Sequence, residues 1–321
     1  MRLARRDQYD AIQFRDTFLV PAFGVLIARL RGLKFYFWLS FPFPEADFHH
    51  ADAGETRFPV LARLRGRLSA WLLYQWILPR ADHAFVQSER MRQDISRKGI
   101  PSGKMTPVPM GIAAGDIARM PVAAARAVSG EVVLGYLGAL NADRHIEVLV
   151  DALALLRGEG MPVRLLLVGD AFDPADRQAL HVRASELGVA DHIEITGNLP
   201  REQALRRALE MDVAFSPIFP IPIFLPASPT KLVEYMALGI PVVANDHPEQ
   251  RTVLRASRAG ITTPWGARYF ARGAKAMIRI GAARRRGMGT AGRSWVLQNR
   301  TYEIIAEQLE RTYQEQIQCA S

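Results

Sequence analysis

The chain has 321 residues and a mass of 35.8 kDa, with 49% hydrophobic and 23% charged residues. This balance excludes disordered and fibrous proteins, and the length favours two domains over one. The single cysteine, Cys319, leaves no disulfide framework and no cysteine-based zinc site, which fits a reducing cytoplasm.

The net charge of +9 is unevenly placed along the chain. Residues 1–112 hold 17 of the 41 lysines and arginines but only 10 of the 32 aspartates and glutamates. A basic half is typical of proteins that bind nucleic acid, an anionic membrane or a phosphate-bearing substrate, and composition does not choose among them. Because no helix-turn-helix, RNA-recognition or zinc-finger pattern is visible, we expect no nucleic-acid partner.

Neither of the two long neutral stretches predicts a membrane span. The stretch between Arg67 and Arg80 is too short to cross a bilayer. The stretch Val213–Thr230 contains five prolines and is predicted to be a loop. Acidic residues interrupt the region before the apolar run Phe18–Ala28, which disfavours a secretory signal, so we expect a cytoplasmic protein.

Short apolar runs alternate with longer helical patterns, which is typical of an α/β protein with parallel sheets. The first part predicts, in chain order, strand Ala11–Phe14, helix Phe18–Leu30, strand Lys34–Leu39, helix Val60–Leu78 and strand His83–Gln87. Ser88 is predicted to cap the next helix, which Gly99 ends. The pattern lapses over Pro107–Ala127, where we expect a domain boundary.

The second part repeats strand and helix with little interruption, which predicts a doubly wound sheet. The predicted strands are Glu131–Gly138, Val163–Gly169, His192–Thr196, Val213–Ser216 and Pro241–Ala244. The predicted helices are Ala175–Leu187, Glu202–Met211, Pro229–Leu238 and a long C-terminal helix, Ser294–Gln318. G-M-G-T-A-G at Gly287–Gly292 has the spacing of a dinucleotide-binding loop but follows a helical stretch, so we interpret it as a chance match.

The most informative segment is S-P-T-K-L-V-E, from Ser228 to Glu234. Ser228 suits a helix N-cap, Pro229 the first helical position, and Thr230 and Lys231 the first turn. Exposed amides, the positive end of the helix dipole and an ammonium group then converge, which is a phosphate-binding arrangement. Glu234 is placed to accept hydrogen bonds from a diol beside that phosphate. The alternative is a well-capped helix whose lysine and glutamate are merely solvated.

Together with the A-L-G-I-P-V-V run that follows, this segment resembles the donor-site helix of glycosyltransferase family 4, whose members are retaining enzymes of the GT-B fold. Further segments match the family in the right order: V-Q-S-E at Val86–Glu89, V-P-M-G-I at Val108–Ile112, V-V-L-G-Y-L-G at Val132–Gly138, L-L-L-V-G-D at Leu165–Asp170 and I-T-G-N-L-P at Ile195–Pro200. The resemblance runs from about Tyr9 to the end. It implies two Rossmann-like doubly wound domains that face a cleft.

The resemblance assigns donor-site roles to individual residues. It implies that Glu234 binds the ribose hydroxyls and that Lys231, with the amides of Thr230 and Lys231, holds the diphosphate. Arg144 falls where most members have a phosphate-binding lysine, so Lys231, Arg144 and Glu234 form the implied catalytic set. The other implied donor contacts are Gly138, Asn198, Leu199, Ser228 and Pro229.

Two positions depart from the family pattern. Pro226 stands where the family has a first glutamate, so the usual contact to the donor sugar is absent or comes from a neighbour. Ala139 stands where an arginine is usual. These departures keep open the alternative of a catalytically inactive nucleotide-sugar-binding subunit or fragment.

The start of the chain also departs from the family. Y-D-A-I-Q-F-R-D at Tyr9–Asp16 resembles a strand midway through the family's N-terminal domain. We therefore expect that roughly 60–90 residues, including a glycine-rich acceptor loop, are missing from a truncated N-terminal domain. Whether Met1 is the true start stays open. The expected domains are 1–125 on the acceptor side, 126–293 for the nucleotide sugar, and 294–321 as a helix crossing back.

The acceptor side offers His49 and His50, which could approach the sugar. Binding of a metal with Asp47 and Asp52 is the weaker alternative, because adjacent side chains seldom point at one ion. No D-x-D triplet occurs in the sequence, and the family chemistry needs neither a metal nor a cofactor.

The expected function is transfer of a hexose-like sugar from a UDP- or GDP-sugar to a saccharide or lipid-linked acceptor. The resemblance places such enzymes in bacterial polysaccharide or cell-envelope biosynthesis. The helix Val60–Leu78 mixes arginines with aromatic residues, so it either rests peripherally on the inner face of the plasma membrane or packs its aromatics into the core.

Overall fold

The computed structural model describes residues 8–120 and 130–318. The predicted boundary at residues 125 and 126 lies outside these ranges, as does Cys319. The chain forms two compact units. The first comprises Met1–Met110, Ile221–Ser228 and Ile305–Ser321, and the second comprises Gly111–Pro220 and Pro229–Ile304. The short segment 221–228 therefore belongs to the first unit, although both of its neighbours in sequence belong to the second.

The first unit contains a parallel sheet of four strands in the order β1-β2-β3-β4. The strands are β1 (Ala11–Arg15), β2 (Lys34–Leu39), β3 (His83–Val86) and β4 (Met105–Pro107). The helices are α1 (Leu19–Arg31), α2 (Phe43–Asp52), α3 (Pro59–Trp71), α4 (Leu78–Arg80) and α5 (Glu89–Ser96). Ser88 accepts a hydrogen bond from the Met91 amide at 3.1 Å, which confirms it as the N-cap of α5.

Alternation along β2 divides the first unit's core between the two faces of its sheet. Phe35 and Phe37 pack on one face, in a cluster with residues of α1 and of the segment that joins α3 to α4. Tyr36 is buried on the other face against Phe85, and the Tyr313 ring lies 4.9 Å from that of Phe85. Both faces of this sheet are therefore covered by apolar side chains.

The predicted helix Val60–Leu78 is continuous in space but not uniformly α-helical. Its middle, Leu72–Ile77, is a π-helical segment that links α3 to α4. Tyr74 is buried in the core, whereas the Trp71 side chain is 54% exposed, so only part of the aromatic cluster packs inwards. No helix in the described ranges is long and apolar enough to cross a membrane.

The second unit contains a parallel sheet of six strands in the order β10-β9-β8-β5-β6-β7. The strands are β5 (Val132–Leu137), β6 (Val163–Val168), β7 (Ile193–Ile195), β8 (Val213–Ser216), β9 (Val242–Asn245) and β10 (Gly260–Thr263). The chain builds the sheet outwards from β5 on one side and from β8 on the other. The strand order therefore reverses between β5 and β8, where doubly wound proteins bind ligands.

Helices cover both faces of this sheet, as the alternating pattern predicts. They are α6 (Ala114–Arg119), α7 (Glu147–Gly158), α8 (Pro174–Glu186), α9 (Arg201–Ala208), α10 (Thr230–Ala237), α11 (Pro248–Ser257), α12 (Ala267–Arg279) and α13 (Gly281–Asn299). The last helix of the chain is α14 (Tyr302–Gln318). The second unit ends at Ile304, so most of α14 belongs to the first unit.

The prediction of a single helix over Ser294–Gln318 is wrong, because the helix is interrupted between α13 and α14. Ile112 pairs there with Thr301 in a parallel bridge. Its amide donates to the Arg300 carbonyl at 2.9 Å, and its carbonyl accepts from the Tyr302 amide at 3.1 Å. Backbone groups that bond to Ile112 cannot also extend a helix, so the break has a tertiary cause.

The G-M-G-T-A-G run lies inside α13, which confirms that it is not a dinucleotide-binding loop. A Cβ on Gly289 would lie 1.9 Å from the Gly239 carbonyl oxygen, at the end of α10. A Cβ on Gly292 would lie 2.7 Å from that of Ala259. These glycines let α13 approach its neighbours closely, whereas Gly287 faces open space.

This packing predicts opposite effects for two substitutions within one helix. Gly289→Ala forces a methyl group into the backbone at Gly239 and should destabilise the fold by about 1–3 kcal/mol. Gly287→Ala is the matched control and should stabilise it by about 0.5–1 kcal/mol, because alanine favours an exposed helix interior. Urea denaturation measures both. Equal effects of the two variants would contradict the close approach of α13 to α10.

Candidate functional site

Two adjoining clefts lie at the carboxyl edge of the second unit's sheet, beside the point where the strand order reverses. The first, of about 380 Å³, is lined by Leu137, Gly138, Leu199, Arg201, Ala204, Leu205, Thr230, Lys231 and Glu234. The second, of about 220 Å³, shares Gly138 and Leu199 and extends over Gly169, Asp170, Phe172 and Asn198. We call them the Lys231 cleft and the Asp170 cleft.

Lys231 lies directly against Gly138, at the end of β5. A Cβ on Gly138 would come within 2.1 Å of Lys231 Cε. The backbone of Gly138 also has φ +147°, a conformation that residues other than glycine rarely adopt. The Lys231 ammonium lies 5.2 Å from the centroid of the Tyr136 ring. Gly138 therefore makes room for a lysine stem at the strand end, as the sequence-based assignment of both residues requires.

The Lys231 ammonium is mostly buried and lacks an anionic partner. Among residues 8–120 and 130–318 no carboxylate lies within ion-pair distance of it. Burial lowers the pKa of Lys231, the nearby Arg144 charge lowers it further, and Glu234 opposes both effects. Asp143 also opposes them, but no carboxylate of the described residues reaches the ammonium, so an anionic ligand could approach it.

Arg144 is the second cation near Lys231, and it lies in a different segment of the chain. It ends a single turn of 3₁₀ helix, Ala142–Arg144, whose first amide donates to Asp176 at 2.8 Å. The next residue, His145, adopts a left-handed conformation and its ring lies 3.8 Å from that of Phe219. These contacts fix the turn, while the Arg144 guanidinium stays half-exposed and close enough to lower the pKa of Lys231.

Glu234 lies in the Lys231 cleft, in the second turn of α10. Its Oε1 accepts a hydrogen bond from Arg201 at 3.1 Å, and Arg201 begins α9 on the opposite wall. The Glu234 side chain is largely covered whereas that of Arg201 is exposed. One oxygen of the Glu234 carboxylate is therefore already paired with an exposed arginine. The sequence analysis did not include Arg201 in the site.

A buried hydroxyl ties α10 to β5. The Tyr235 hydroxyl accepts from the Leu137 amide at 2.7 Å, and it is fully buried, which raises its pKa well above the ordinary value. Because Tyr235 lies next to Glu234, this bond also sets where Glu234 and Lys231 lie relative to Gly138. Tyr235 thus positions the site without lining it.

Ser228 is not the N-cap of α10, contrary to the prediction. The helix begins at Thr230, Pro229 occupies the cap position, and no side chain caps it. Ser228 instead accepts a hydrogen bond from the Met110 amide at 2.9 Å. Its hydroxyl is therefore engaged within the first unit and leaves the first-turn amides at Thr230 and Lys231 without a side-chain acceptor.

Pro226, the position of the departure from the family pattern, also belongs to the first unit. Its carbonyl accepts from the Ser88 hydroxyl at 2.6 Å, the same hydroxyl that caps α5. Position 226 contributes only its backbone carbonyl to this hydrogen bond, so a proline can make it as well as any other residue. The side chains at Ser228 and Pro226 are both buried.

Asn198 and Leu199, two of the implied donor contacts, line the Asp170 cleft. Phe172 stands at its rim, and its side chain is 91% exposed, more than that of any other large apolar residue in the described ranges. The Phe172 amide is held by Asn141 Oδ1 at 2.9 Å, while Asp170 pairs with Arg177 at 3.4 Å. The cleft thus combines an exposed aromatic face with fixed polar groups.

His49 and His50 lie on α2 in the first unit, not in a loop. His50 Nδ1 bonds to Glu55 at 2.7 Å. Asp47 and Asp52, the other residues of the metal alternative, form ion pairs with Arg65 and Arg63 on α3. Within the described residues no group of three histidine, cysteine, aspartate or glutamate side chains is arranged to hold a metal ion.

Two sequence models of glycosyltransferases match the chain. Residues 131–280 match the model described as glycosyl transferases group 1, and residues 1–111 match the glycosyl transferase 4-like domain. Between them they span well over half of the chain. The chain belongs to the group 1 glycosyltransferases. No curated protein matches it in sequence.

Solved structures establish the fold of this glycosyltransferase. The Anabaena protein Alr3699/HepE in complex with UDP matches with a TM-score of 0.68 at 16% identity, over 94% of this chain and 78% of that one. A glycosyltransferase from Rickettsia africae gives 0.69 at 14% identity over 96% and 77%. Sucrose-phosphate synthase from Thermosynechococcus elongatus gives 0.65 at 20% identity over 98% and 75%. The predicted GT-B type, with two parallel-sheet α/β domains, is confirmed.

In this glycosyltransferase the structure gathers Gly138, Thr230, Lys231 and Glu234 at one cleft, with Leu199 shared by both clefts. Arg144 lies beside this set, whereas Ser228 turns to Met110. The sequence analysis did not predict Arg201 and Phe172 as residues of the site. A signal for Arg201 was available, because it follows the I-T-G-N-L-P segment and starts a helix beside the same sheet edge.

The buried charge makes Lys231→Met informative before any ligand is added. Because burial lowers the pKa of Lys231 in the folded chain, its charged form opposes folding below that pKa, and the penalty fades as the pH rises towards the unfolded value. We expect the ligand-free variant to be at least as stable as wild type near neutral pH, with the difference shrinking at alkaline pH. Urea denaturation at both pH values tests this. A clear loss of stability at neutral pH would show that the ammonium has a stabilising partner.

Proposed function

We propose that this glycosyltransferase transfers a sugar from a UDP- or GDP-sugar, with retention of anomeric configuration, to a saccharide or lipid-linked acceptor. The observation that carries the proposal is the buried, unpaired Lys231 ammonium beside the first turn of α10. A nucleoside diphosphate supplies the missing negative charge. Solved structures with UDP and with UDP-glucose bound to Alr3699/HepE support a nucleotide-sugar donor.

The donor would be divided between the two clefts. The diphosphate would lie between Lys231, Arg144 and the amides of Thr230 and Lys231, where positive charge converges. Glu234 would accept from the ribose hydroxyls, with Arg201 orienting its carboxylate. The base would enter the Asp170 cleft, where Phe172 offers a face for stacking and Asn198 and Leu199 lie alongside.

In the proposed reaction the bond between the anomeric carbon and a diphosphate oxygen breaks, and the acceptor oxygen bonds to the same face of that carbon. The acceptor's hydroxyl proton passes to the departing diphosphate, so that atoms and charge balance. Negative charge grows on the diphosphate as the sugar becomes oxocarbenium-like. Lys231, Arg144 and the N-terminus of α10 would stabilise that charge in place, a role that bound metal ions fill in other enzymes, so we propose that no metal or cofactor is required.

Pathway and location are proposed on family resemblance. We place the enzyme in bacterial polysaccharide or cell-envelope biosynthesis, in the cytoplasm and at the inner face of the plasma membrane. His49 and His50 remain the proposed acceptor-side residues. The rival proposal, an inactive nucleotide-sugar-binding subunit, rests on Pro226, whose side chain cannot bind sugar hydroxyls.

Calorimetric titration with UDP, GDP and their common sugar conjugates tests the donor site. We expect one nucleotide to bind, and Lys231→Met or Glu234→Gln to weaken it by at least ~10-fold, since each removes a charge-assisted contact. Lys275→Met is the matched control, because Lys275 lies on the same unit but pairs with Glu159 at the surface, and it should bind as wild type does.

The outcomes separate the two proposals. Binding together with slow hydrolysis or transfer of the bound sugar supports an enzyme, and a product of unchanged anomeric configuration supports retention. Binding with neither reaction, under all acceptors tried, favours the inactive subunit. If a folded wild-type chain binds no nucleotide, the donor-site proposal is overturned.

A further inference from the structure

Exposed apolar side chains are concentrated on two helices of the first unit. Of the eighteen large hydrophobic residues that the described chain exposes, eleven lie on α1 or in the segment Phe58–Trp71, which contains α3. We call this set the apolar face, and it consists of Leu19, Val20, Phe23, Leu26, Leu30, Phe58, Val60, Leu61, Leu64, Leu68 and Trp71. So large a set on one unit is a sign of an interaction surface.

Helix α1 is apolar on both of its sides. Val25 and Ala28 are buried in the core of the first unit. Leu19, Phe23 and Leu30 follow the helical spacing of one opposite stripe, and Leu30 is 84% exposed. A helix that is apolar all round is normally covered on all sides, so the outer stripe of α1 calls for a partner.

Helix α3 has an apolar stripe bordered by arginines. Leu61, Leu64, Leu68 and Trp71 recur at intervals of three and four residues and are exposed, while Ala62 and Gly66 face inwards. Arg63 and Arg65 lie on either side of the stripe and pair with Asp52 and Asp47 of α2. An exposed apolar stripe bordered by arginines is typical of helices that lie in a membrane interface.

The two stripes are joined by a pair of tryptophans. The Trp71 ring stacks on Trp76 with centroids 6.4 Å apart, and Trp76 Nε1 donates to the Ala22 carbonyl of α1 at 3.1 Å. The C-terminal end of α3 is thereby fixed beside α1 within the first unit. The apolar face is therefore one surface rather than two isolated patches.

The unpaired charges on the segments that carry the apolar face are basic. Residues 17–44 and 56–81, which contain both helices, hold eight lysines and arginines and no aspartate or glutamate. Arg29, Arg31, Arg57 and Arg67 are exposed, and none of them forms an ion pair with a described residue. A second copy of the chain docked face to face would bring these cations together, which disfavours self-association.

We propose that the apolar face docks onto an anionic lipid surface, with α1 and α3 lying in the plane of the interface. Apolar side chains would enter the acyl boundary, Trp71 would lie at headgroup level, and the unpaired arginines would meet the lipid phosphates. Apolar burial and basic charge together supply the two contributions that stable peripheral binding requires. The inference deepens the location given in the proposed function, but it does not depend on the donor site.

Vesicle flotation with the full chain tests the docking. We expect the protein to float with vesicles of phosphatidylcholine and phosphatidylglycerol, to float poorly with phosphatidylcholine alone, and to dissociate as salt rises. The double variant Leu64→Ser/Leu68→Ser should lower binding at least about tenfold, and Arg57→Gln/Arg67→Gln should remove the preference for anionic lipid. Leu155→Ser/Val182→Ser replaces similarly exposed residues of the second unit and should bind as wild type does.

Tryptophan fluorescence tests the orientation. Lipids brominated near the headgroup should quench the protein, and Trp71→Phe should abolish most of the quenching while flotation persists. Trp265, in the second unit, contacts Phe219 and Phe270, so Trp265→Phe should leave the quenching in place.

Three results would overturn the proposal. They are no flotation of folded protein with anionic vesicles at low salt, flotation that the apolar-face variants leave unchanged, and a dimer in light scattering that Leu64→Ser/Leu68→Ser dissociates. The last would identify a second copy as the occupant. Nucleotide titration of the Leu64→Ser/Leu68→Ser variant should match wild type, so a failure of docking is distinguishable from a failure of the donor site.

Discussion

The candidate site of the second unit depends on the burial of one ammonium group at a strand end. Lys231 reaches Gly138 because that residue has no side chain and because its φ of +147° turns the chain away after β5. Burial lowers the pKa of Lys231, and the nearby charge of Arg144 adds to this effect. Glu234 and Asp143 offset part of this cost, and under the proposed function a bound diphosphate would offset more of it.

Two contacts fix the position of α10, the helix that carries Lys231. The Tyr235 hydroxyl binds the Leu137 amide at 2.7 Å, and the close approach at Gly289 fixes α13 against the end of α10. The C-terminal half of α10 is therefore held by the Tyr235 hydroxyl and by the close packing at Gly239. Since Lys231 and Glu234 are one turn apart on this helix, holding the helix sets both side chains at once.

Sequence patterns predicted eight of the ten described strands to within one or two residues, because apolar runs bounded by turns report burial, which is local. They missed β4, which has only three residues, and β10, whose residues are only partly buried. They failed where a distant backbone competes for a group. Ser228 was predicted to be a helix cap, but its hydroxyl accepts a hydrogen bond from the Met110 amide instead. The C-terminal helix looked continuous, but Ile112 interrupts it. Arg201 escaped notice because its partner Glu234 is 33 residues away, whereas Lys231 and Glu234 were found because they share one helix.

The two proposed interactions use basic charge in different ways, because Lys231 is buried and the arginines of the apolar face are exposed. Removal of the Lys231 ammonium from water would make its interaction with an anion strong, local and weakly screened by salt. Arg57 and Arg67 remain in water beside apolar side chains, so each contributes little, and they act only as a group and only at low to moderate salt. The +9 net charge is thus compatible with one small anionic ligand and one extended anionic surface. Increasing salt should weaken the second interaction long before the first, because screening acts on exposed charges.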